Sequence, residues 1–132
     1  MGSRHNLYLA TCVPIPARAY DEQVTKYTAV AYFANGPIEF SQALTAIGTV
    51  DRPALPWEGT QRIARLGTST FSSHIVAGGA QLRKGELAGT AILDNEDFAC
   101  FKDGQVAFVV TDDLSKQPYS CNTNYWCPSI AV

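Results

Sequence analysis

The chain contains four cysteines, and their spacing constrains the fold more than any other feature of the sequence. A structural zinc site takes its ligands from close pairs of the C-x(2–4)-C kind, whereas the closest pair here is C-x(5)-C. The C-x-x-C redox motif is absent. An even number of cysteines, with one near each end of the chain, favours two disulfides, and buried free thiols in a cytosolic protein are the alternative. The four residues are Cys12, Cys100, Cys121 and Cys127.

Four cysteines allow three pairings, and the sequence alone does not choose between them. We expect Cys12–Cys127, which would tie an N-terminal strand to the C-terminal one, and Cys100–Cys121, which would join two strands around a hairpin. In the chain-entropy model each bond is worth roughly 3 to 5 kcal/mol. The segment YSCNTNYWC is therefore predicted to be a final strand that is joined to both its neighbours.

Length and charge limit the domain count and the classes of partner. The 132 residues fit one domain, and the charged fraction of 17% lies below the roughly 25% typical of soluble proteins. The net charge is −2 and the basic residues are scattered along the sequence, so no nucleic acid or anionic lipid is expected as a partner. No repeat or linker divides the chain, and a monomer is expected.

We expect no signal peptide at the start of this sequence, because no charged region leads into an apolar stretch. We interpret residues 1–3 as a vector-derived scar and residues 4–132 as a single β domain whose signal was removed in cloning. A native intracellular start is the alternative. No apolar run approaches the ~18 residues that a membrane-spanning helix needs, so no transmembrane segment is expected.

Alternating apolar and polar residues predict an all-β fold. The strongest strand pattern places Tyr27, Ala29, Ala31 and Phe33 on one apolar face, and the KDG turn at 102–104 predicts a hairpin. Seven or eight short strands predict a small antiparallel β-barrel or sandwich. Small residues are expected inside a tightly closed barrel: Ala29, Ala31, Gly89 and Ala91. The predicted strands are 6–12, 24–34, 70–76, 87–93, 97–101, 105–111 and 119–127.

Helix signals are weak. The spacing of Phe40, Leu44 and Ile47 predicts a short helix over 39–47, and residues 60–66 fit either a helix or a strand. We therefore expect at most one or two short helices and long connecting loops. The longest predicted connection is 35–59, which Pro53 and Pro56 interrupt.

No catalytic constellation is legible. His74 lies on the opposite strand face from Phe71 and Ile75, which is typical of an exposed histidine, and His5 adjoins the scar. A glycosidase would need two carboxylates on facing walls of a cleft, but the acidic residues fall at turns and are more simply turn formers. We predict no catalytic, metal or cofactor site. The acidic residues are Asp94, Glu96, Asp97, Asp112 and Asp113.

Two tryptophans are the candidate contacts for a ligand or a partner. Trp57 in PWEG and Trp126 in NYWC could stack on a sugar ring or on a protein surface. Half-buried aromatic residues also pack strands, and that structural interpretation is the alternative.

Five segments resemble a family of small, cysteine-containing proteins secreted by filamentous ascomycete fungi, in particular hypersensitive-response-inducing elicitors of the rice blast type. The resemblance covers nearly the whole chain and rests on framework segments. It implies a secreted, extracellular protein that triggers cell death and defence responses in plants. It also implies an unknown host receptor or membrane component as partner, and it transfers no catalytic residue. The segments are NLYLATC, YTAVAYFANGPI, PWEGTQRIARLGTSTFSSHI, DFACFKDG and YSCNTNYWC.

Three functions follow as hypotheses. The first is a secreted elicitor that acts by surface recognition, with residues 35–59 as the presenting loop. The second is a secreted carbohydrate- or small-ligand-binding module that uses Trp57 or Trp126. The third is a small secreted hydrolase that uses the acidic residues.

Overall fold

The computed structural model describes residues 5–14, 26–34, 45–51, 54–104, 107–111 and 118–130. Within these ranges the chain forms nine strands, one single-turn 3-10 helix at Gly79–Gln81, and no α-helix, which confirms the all-β prediction. The strands are β1 (Asn6–Pro14), β2 (Tyr27–Phe33), β3 (Ala46–Asp51), β4 (Gln61–Leu66), β5 (Ser69–Ile75), β6 (Leu87–Leu93), β7 (Glu96–Lys102), β8 (Ala107–Thr111) and β9 (Pro118–Pro128).

The strands form one antiparallel sheet that curves into a nearly closed barrel. Their order is β3-β2-β1-β9-β7-β6-β5-β4, and β8 pairs with β9 outside that path. The two ends of this order meet where Gly48 of β3 lies against Arg65 of β4. A Cβ atom added to Gly48 would lie 2.5 Å from the Arg65 carbonyl oxygen, so only glycine permits the approach that closes the barrel.

The last strand, β9, is the centre of the topology. Its first half pairs with β8 and its second half with β7, while β1 runs along its other edge. Leu9 pairs with Tyr125 and Ala10 pairs with Thr123, so Asn124 forms a bulge. Alternate residues of β9 are buried along the whole strand. Because of the bulge, Tyr119 and Cys121 pack in one hydrophobic cluster, whereas Tyr125 and Cys127 pack in another.

Both disulfides join directly opposed residues of β9 and a neighbouring strand. The predicted pairing is wrong, because the structure joins Cys12 to Cys121 and Cys100 to Cys127. Cys12 lies in the second half of β1, and an antiparallel register brings that half to the start of β9. The prediction that the final strand is joined to both its neighbours is confirmed, since the two bonds reach β1 and β7.

The barrel interior is filled by side chains. Leu7, Phe71, Ile75 and Phe98 are fully buried there, and residues from seven strands contribute to this main core. Two smaller clusters lie on the outer face of β1, β2 and β9. The positions predicted for two of the small residues are therefore wrong: Ala91 belongs to the main core, but Ala29 and Ala31 belong to the outer clusters.

Two local predictions were wrong, and one open alternative is decided. Ala46–Asp51 is a strand paired with β2, so 35–59 is not one long connection. The KDG segment does not form a β7–β8 hairpin, because β8 pairs with β9 and the Asp103 N–H donates to the Asn124 carbonyl oxygen at 3.0 Å. The ambiguous segment at 60–66 is strand β4.

Other predictions fall on residues outside the described ranges. They include the scar at 1–3 and most of the predicted helix at 39–47, although Ala46 and Ile47 belong to β3. Among the helical residues that the structure does describe, no stretch has the length and apolar character to cross a bilayer.

Candidate functional site

Trp57 is a core residue. Its side chain is 2% exposed and packs in the main core, and its Nε1 is buried with no hydrogen-bond partner among the described residues. The segment is fixed to β5 by a bridge between Glu58 and Ile75 and by the Gly59 N–H, which donates to the Ile75 carbonyl oxygen at 2.8 Å. The ring therefore has no open face for the stacking role considered from the sequence.

A polar pair also holds this segment to the barrel. The hydroxyl of Tyr125, which is fully buried, donates to the Glu58 carboxylate. Burial, followed by that hydrogen bond and the charge of Glu58, raises the pKa of Tyr125. The Lys102 ammonium lies 5.1 Å from the centroid of the Tyr125 ring. Because the phenol is enclosed, this pair ties β9 to residues 54–60 and does not face a substrate.

Trp126 lies on the outer face of the barrel and is half-buried. Its Nε1 donates to the Asn6 Oδ1 atom at 2.7 Å, and its ring centroid lies 6.1 Å from that of Phe101. Leu87 pairs with Phe101, and Phe101 pairs with Trp126, so the three side chains form a line across β6, β7 and β9. We call Leu87, Phe101 and Trp126 the outer apolar row. Of the two predicted contact residues, Trp126 is the one that remains accessible.

A second cluster joins both ends of the described chain at one rim of the barrel. His5 Nδ1 lies 2.7 Å from Glu96 Oε1, and the Ser129 hydroxyl donates to the other oxygen of the same carboxylate. The Ser129 N–H donates to the His5 carbonyl oxygen at 3.0 Å. Glu96 stands between the histidine and the serine, so His5 is not placed to take a proton from the Ser129 hydroxyl. The cluster therefore acts as a structural clamp.

An open depression of about 510 Å³ adjoins this clamp. Tyr32 lines it, and burial together with the charge of Glu96 raises the pKa of Tyr32. Asp94 also lines the depression, in a left-handed turn with φ 54°. Hydrogen bonds from the Thr70 N–H and the Ser69 hydroxyl lower the pKa of Asp94. These bonds make Asp94 a turn former, as the sequence predicts.

His74 is exposed on the outer face of β5, which confirms the predicted face. It borders a shallow depression of about 200 Å³. The neighbouring residue Ser73 is buried, and its hydroxyl has no hydrogen-bond partner among the described residues. Successive strand residues point to opposite faces, so His74 and Ser73 do not form a nucleophile–base pair.

The acidic residues are not gathered into a site. Glu96 is part of the clamp, Asp97 is exposed on β7, and Asp112 and Asp113 lie outside the described ranges. Within the part of the chain that the structure describes, no group of three or more histidine, cysteine and acidic side chains is placed to hold a metal ion.

Comparisons of the chain with family models, with characterised proteins and with solved structures find no match. The candidate site therefore rests on geometry. Sequence reasoning identified Trp126 but missed its partners Leu87 and Phe101, because their alignment depends on the registers of β6, β7 and β9. It also missed the clamp, whose members His5 and Glu96 are 91 positions apart.

Proposed function

We propose that the protein is a secreted elicitor that triggers hypersensitive cell death and defence responses in plants through surface recognition, without catalysis. The packed interior is the observation that carries this proposal, because the described core side chains fill the space that a buried ligand would need. We therefore infer that recognition takes place on the outer surface. A host receptor or membrane component would contact the protein there.

The disulfides support an extracellular setting. Two cross-strand bonds with no free cysteine are compatible with an oxidising compartment and would be reduced in most cytosols. They also make the outer surface a rigid one, because β9 is joined covalently to both β1 and β7.

Large apolar side chains on that surface support a binding role. Leu87, Ile63 and Ile130 are each more than half exposed. Ile63 pairs with Ser72, which pairs with Ile92, so two separate strips of exposed apolar side chains cross the outer face. One is this isoleucine strip and the other is the outer apolar row.

Leaf infiltration with purified protein tests the proposal. We expect the native protein to cause necrotic lesions, and we expect reduced and alkylated protein to cause none. A variant combining Asp94→Asn with Asp97→Asn should keep the activity, because neither exposed carboxylate is needed for recognition. Absence of lesions with native protein would refute the elicitor function. Loss of activity in the folded double variant would favour the hydrolase instead.

The predicted presenting loop, residues 35–59, can be tested by a loop swap only over part of its length. Replacing all of 35–59 would remove β3 and the core residue Trp57, and would therefore disturb the barrel. A swap restricted to 35–44 leaves every described strand intact. Undiminished necrosis after that swap would exclude residues 35–44 as the presenting segment.

A further inference from the structure

Strand β8 has one edge that is paired and one that is open. It pairs with β9 along its whole length, from Ala107 opposite Asn122 to Thr111 opposite Pro118, and no strand that the structure describes pairs with its other side. The two end strands of the sheet order, β3 and β4, lie against each other at Gly48, so the edges of these two strands face each other. Among the described strands, β8 therefore has the edge that can accept a further strand.

The disulfide beside β8 shows which backbone groups point to the open edge. The Cα atoms of Cys12 and Cys121 are 3.9 Å apart, which is closer to the ~4.5 Å of an opposed pair without backbone hydrogen bonds than to the ~5.5 Å of a bonded pair. The N–H and C=O of Cys121 therefore point away from β1 and toward Phe108 of β8. Because bonded and non-bonded pairs alternate, Val109 and Ser120 are a non-bonded pair. The N–H and C=O of Val109 thus point to the open edge.

Ala107 and Thr111 have the same orientation as Val109. Each lies two residues away from it, and the β8–β9 register contains no bulge that would shift the alternation. Thr111 is opposite Pro118, which has no N–H to donate, as a non-bonded pair allows. The open edge therefore presents a row of backbone donors and acceptors, and an extended strand is the structure that can pair with all of them.

The side chains of β8 hold the strand on the barrel and leave its outer face apolar. The ring centroid of Phe108 lies 6.3 Å from that of Phe33, and Val110 packs against the cluster that contains Cys121. Val109 is 65% exposed, the largest exposed fraction among the large apolar side chains that the structure describes. The strand contains no charged residue, proline or bulge, which are features by which edge strands avoid pairing with other chains.

We propose that β8 pairs with β8 of a second copy of this chain, antiparallel and around a two-fold axis at Val109. This axis places Val109 opposite the partner's Val109 and Ala107 opposite the partner's Thr111, so every outward-pointing backbone group meets another. All five residues of β8 are uncharged, so pairing with an identical strand opposes no like charges. The edge is therefore complementary to itself, which selects a second copy as its occupant.

The resulting dimer is closed and weak. The two-fold arrangement uses the open β8 edge of both copies and leaves none for a third. Five residues from each chain bury less than the ~1,200 Å² of a stable interface. The dimer departs from the monomer that we expect from the sequence, and it does not depend on the proposed elicitor function.

Analytical ultracentrifugation of the purified chain tests the association. We expect the mean mass to rise from that of a monomer toward that of a dimer between about 1 μM and about 1 mM, the range of dissociation constants of a weak interface. Hydrogen exchange then locates the contact. The amides of Val109 and Thr111 should exchange severalfold more slowly at the high concentration, whereas those of Phe108 and Val110 already bond to β9 and should not change.

Matched variants test the position of the axis. Val109→Lys should weaken association at least about tenfold, because the axis places the two lysines opposite each other. Ile63→Lys is its control, since Ile63 is 63% exposed on β4 and the substitution changes the net charge equally. This control should associate like the native protein. Both side chains are exposed, so the fold should persist, and circular dichroism would verify it.

A mixing experiment separates a lost contact from a damaged strand. Val109→Glu should be monomeric alone for the same reason as Val109→Lys. An equimolar mixture of the two variants should form a heterodimer, because the axis then places a carboxylate opposite an ammonium group. A strand that either substitution had disrupted could not regain pairing in the mixture.

A native protein that stays monomeric at about 1 mM would overturn the proposal. So would a dimer that persists unchanged in Val109→Lys, or a mixture of the lysine and glutamate variants that forms no heterodimer. Species that grow beyond two copies with concentration would also contradict it, because the two-fold pairing closes at a dimer.

Discussion

Cys121 lies directly opposite Cys12, and their bond joins the last strand to the first at a separation of 109 positions. The second bond, between Cys100 and Cys127, spans only 27 positions. Both act on β9, so the two bonds constrain the same strand while closing loops of very different length.

The two disulfides should therefore contribute unequally to stability. In the chain-entropy model the Cys12–Cys121 bond is worth about 5 kcal/mol and the Cys100–Cys127 bond about 4 kcal/mol. We expect Cys12→Ser with Cys121→Ser to lower the free energy of unfolding by about 1 kcal/mol more than Cys100→Ser with Cys127→Ser. Urea denaturation measures both values. The opposite order would show that native packing outweighs loop closure.

The buried phenol of Tyr125 and the half-buried phenol of Tyr32 should make the protein sensitive to alkali. The pKa values of Tyr125 and Tyr32 are raised, whereas a tyrosine in the unfolded chain ionises near pH 10. The raised pKa means that the fold favours the neutral phenol, so its stabilising effect is complete below about pH 10 and decreases as the pH rises further.

A Tyr125→Phe variant isolates the larger of these effects. It should lose about 1 to 2 kcal/mol at neutral pH, because Glu58 loses its donor, and its stability should fall less steeply in alkali. Tyrosinate absorbance followed against pH would detect one fewer delayed ionisation than in the native protein. An unchanged titration curve would contradict the role assigned to Tyr125.

Gly89 should tolerate no side chain. A Cβ atom there would lie 2.1 Å from the His74 carbonyl oxygen and 2.9 Å from the Ile75 Cα atom, both of which are backbone. We expect Gly89→Ala to lower the free energy of unfolding by about 3 kcal/mol. Gly78→Ala is the control, because open space surrounds Gly78. Similar thermal melts for the two variants would refute the close approach of β5 and β6.

The clamp should depend on the Glu96 carboxylate. Glu96→Ala removes the acceptor of both His5 and Ser129, and we expect it to lower the free energy of unfolding by about 1 to 2 kcal/mol. Asp97→Ala changes an exposed neighbour on the same strand and should have an effect below about 0.5 kcal/mol. Hydrogen exchange of residues 129 and 130 should rise in the first variant alone.

Strand positions were predictable from the sequence because they depend on local alternation, as in β6 and β7. The disulfide pairing was not, because it depends on which half of β9 meets β1. Ala46–Asp51 was missed because Phe40, Leu44 and Ile47 match a helical period, whereas the strand owes its existence to pairing with β2. The hairpin predicted at KDG is likewise absent, because β8 pairs with β9 and not with β7.

The candidate surface was only partly predictable. Trp126 could be identified by its residue type, but nothing in the sequence indicated which residues would lie beside it. Leu87, Phe101 and Trp126 lie far apart in the sequence, and only the pairing of β6, β7 and β9 aligns them. Such an alignment is a property of strand register, which composition does not record.

The hydrogen bond between the Ser129 N–H and the His5 carbonyl oxygen holds the first and last described segments of the chain side by side. A short linker could therefore connect position 129 to position 5, and the chain could be reopened at Gly67, whose φ of 62° marks the tight turn between β4 and β5. The resulting circular permutant would retain every strand pair and both sulfur bridges. The new termini, and any affinity tag fused to them, would lie near Ser69 and Asp94, beside the depression that adjoins the clamp.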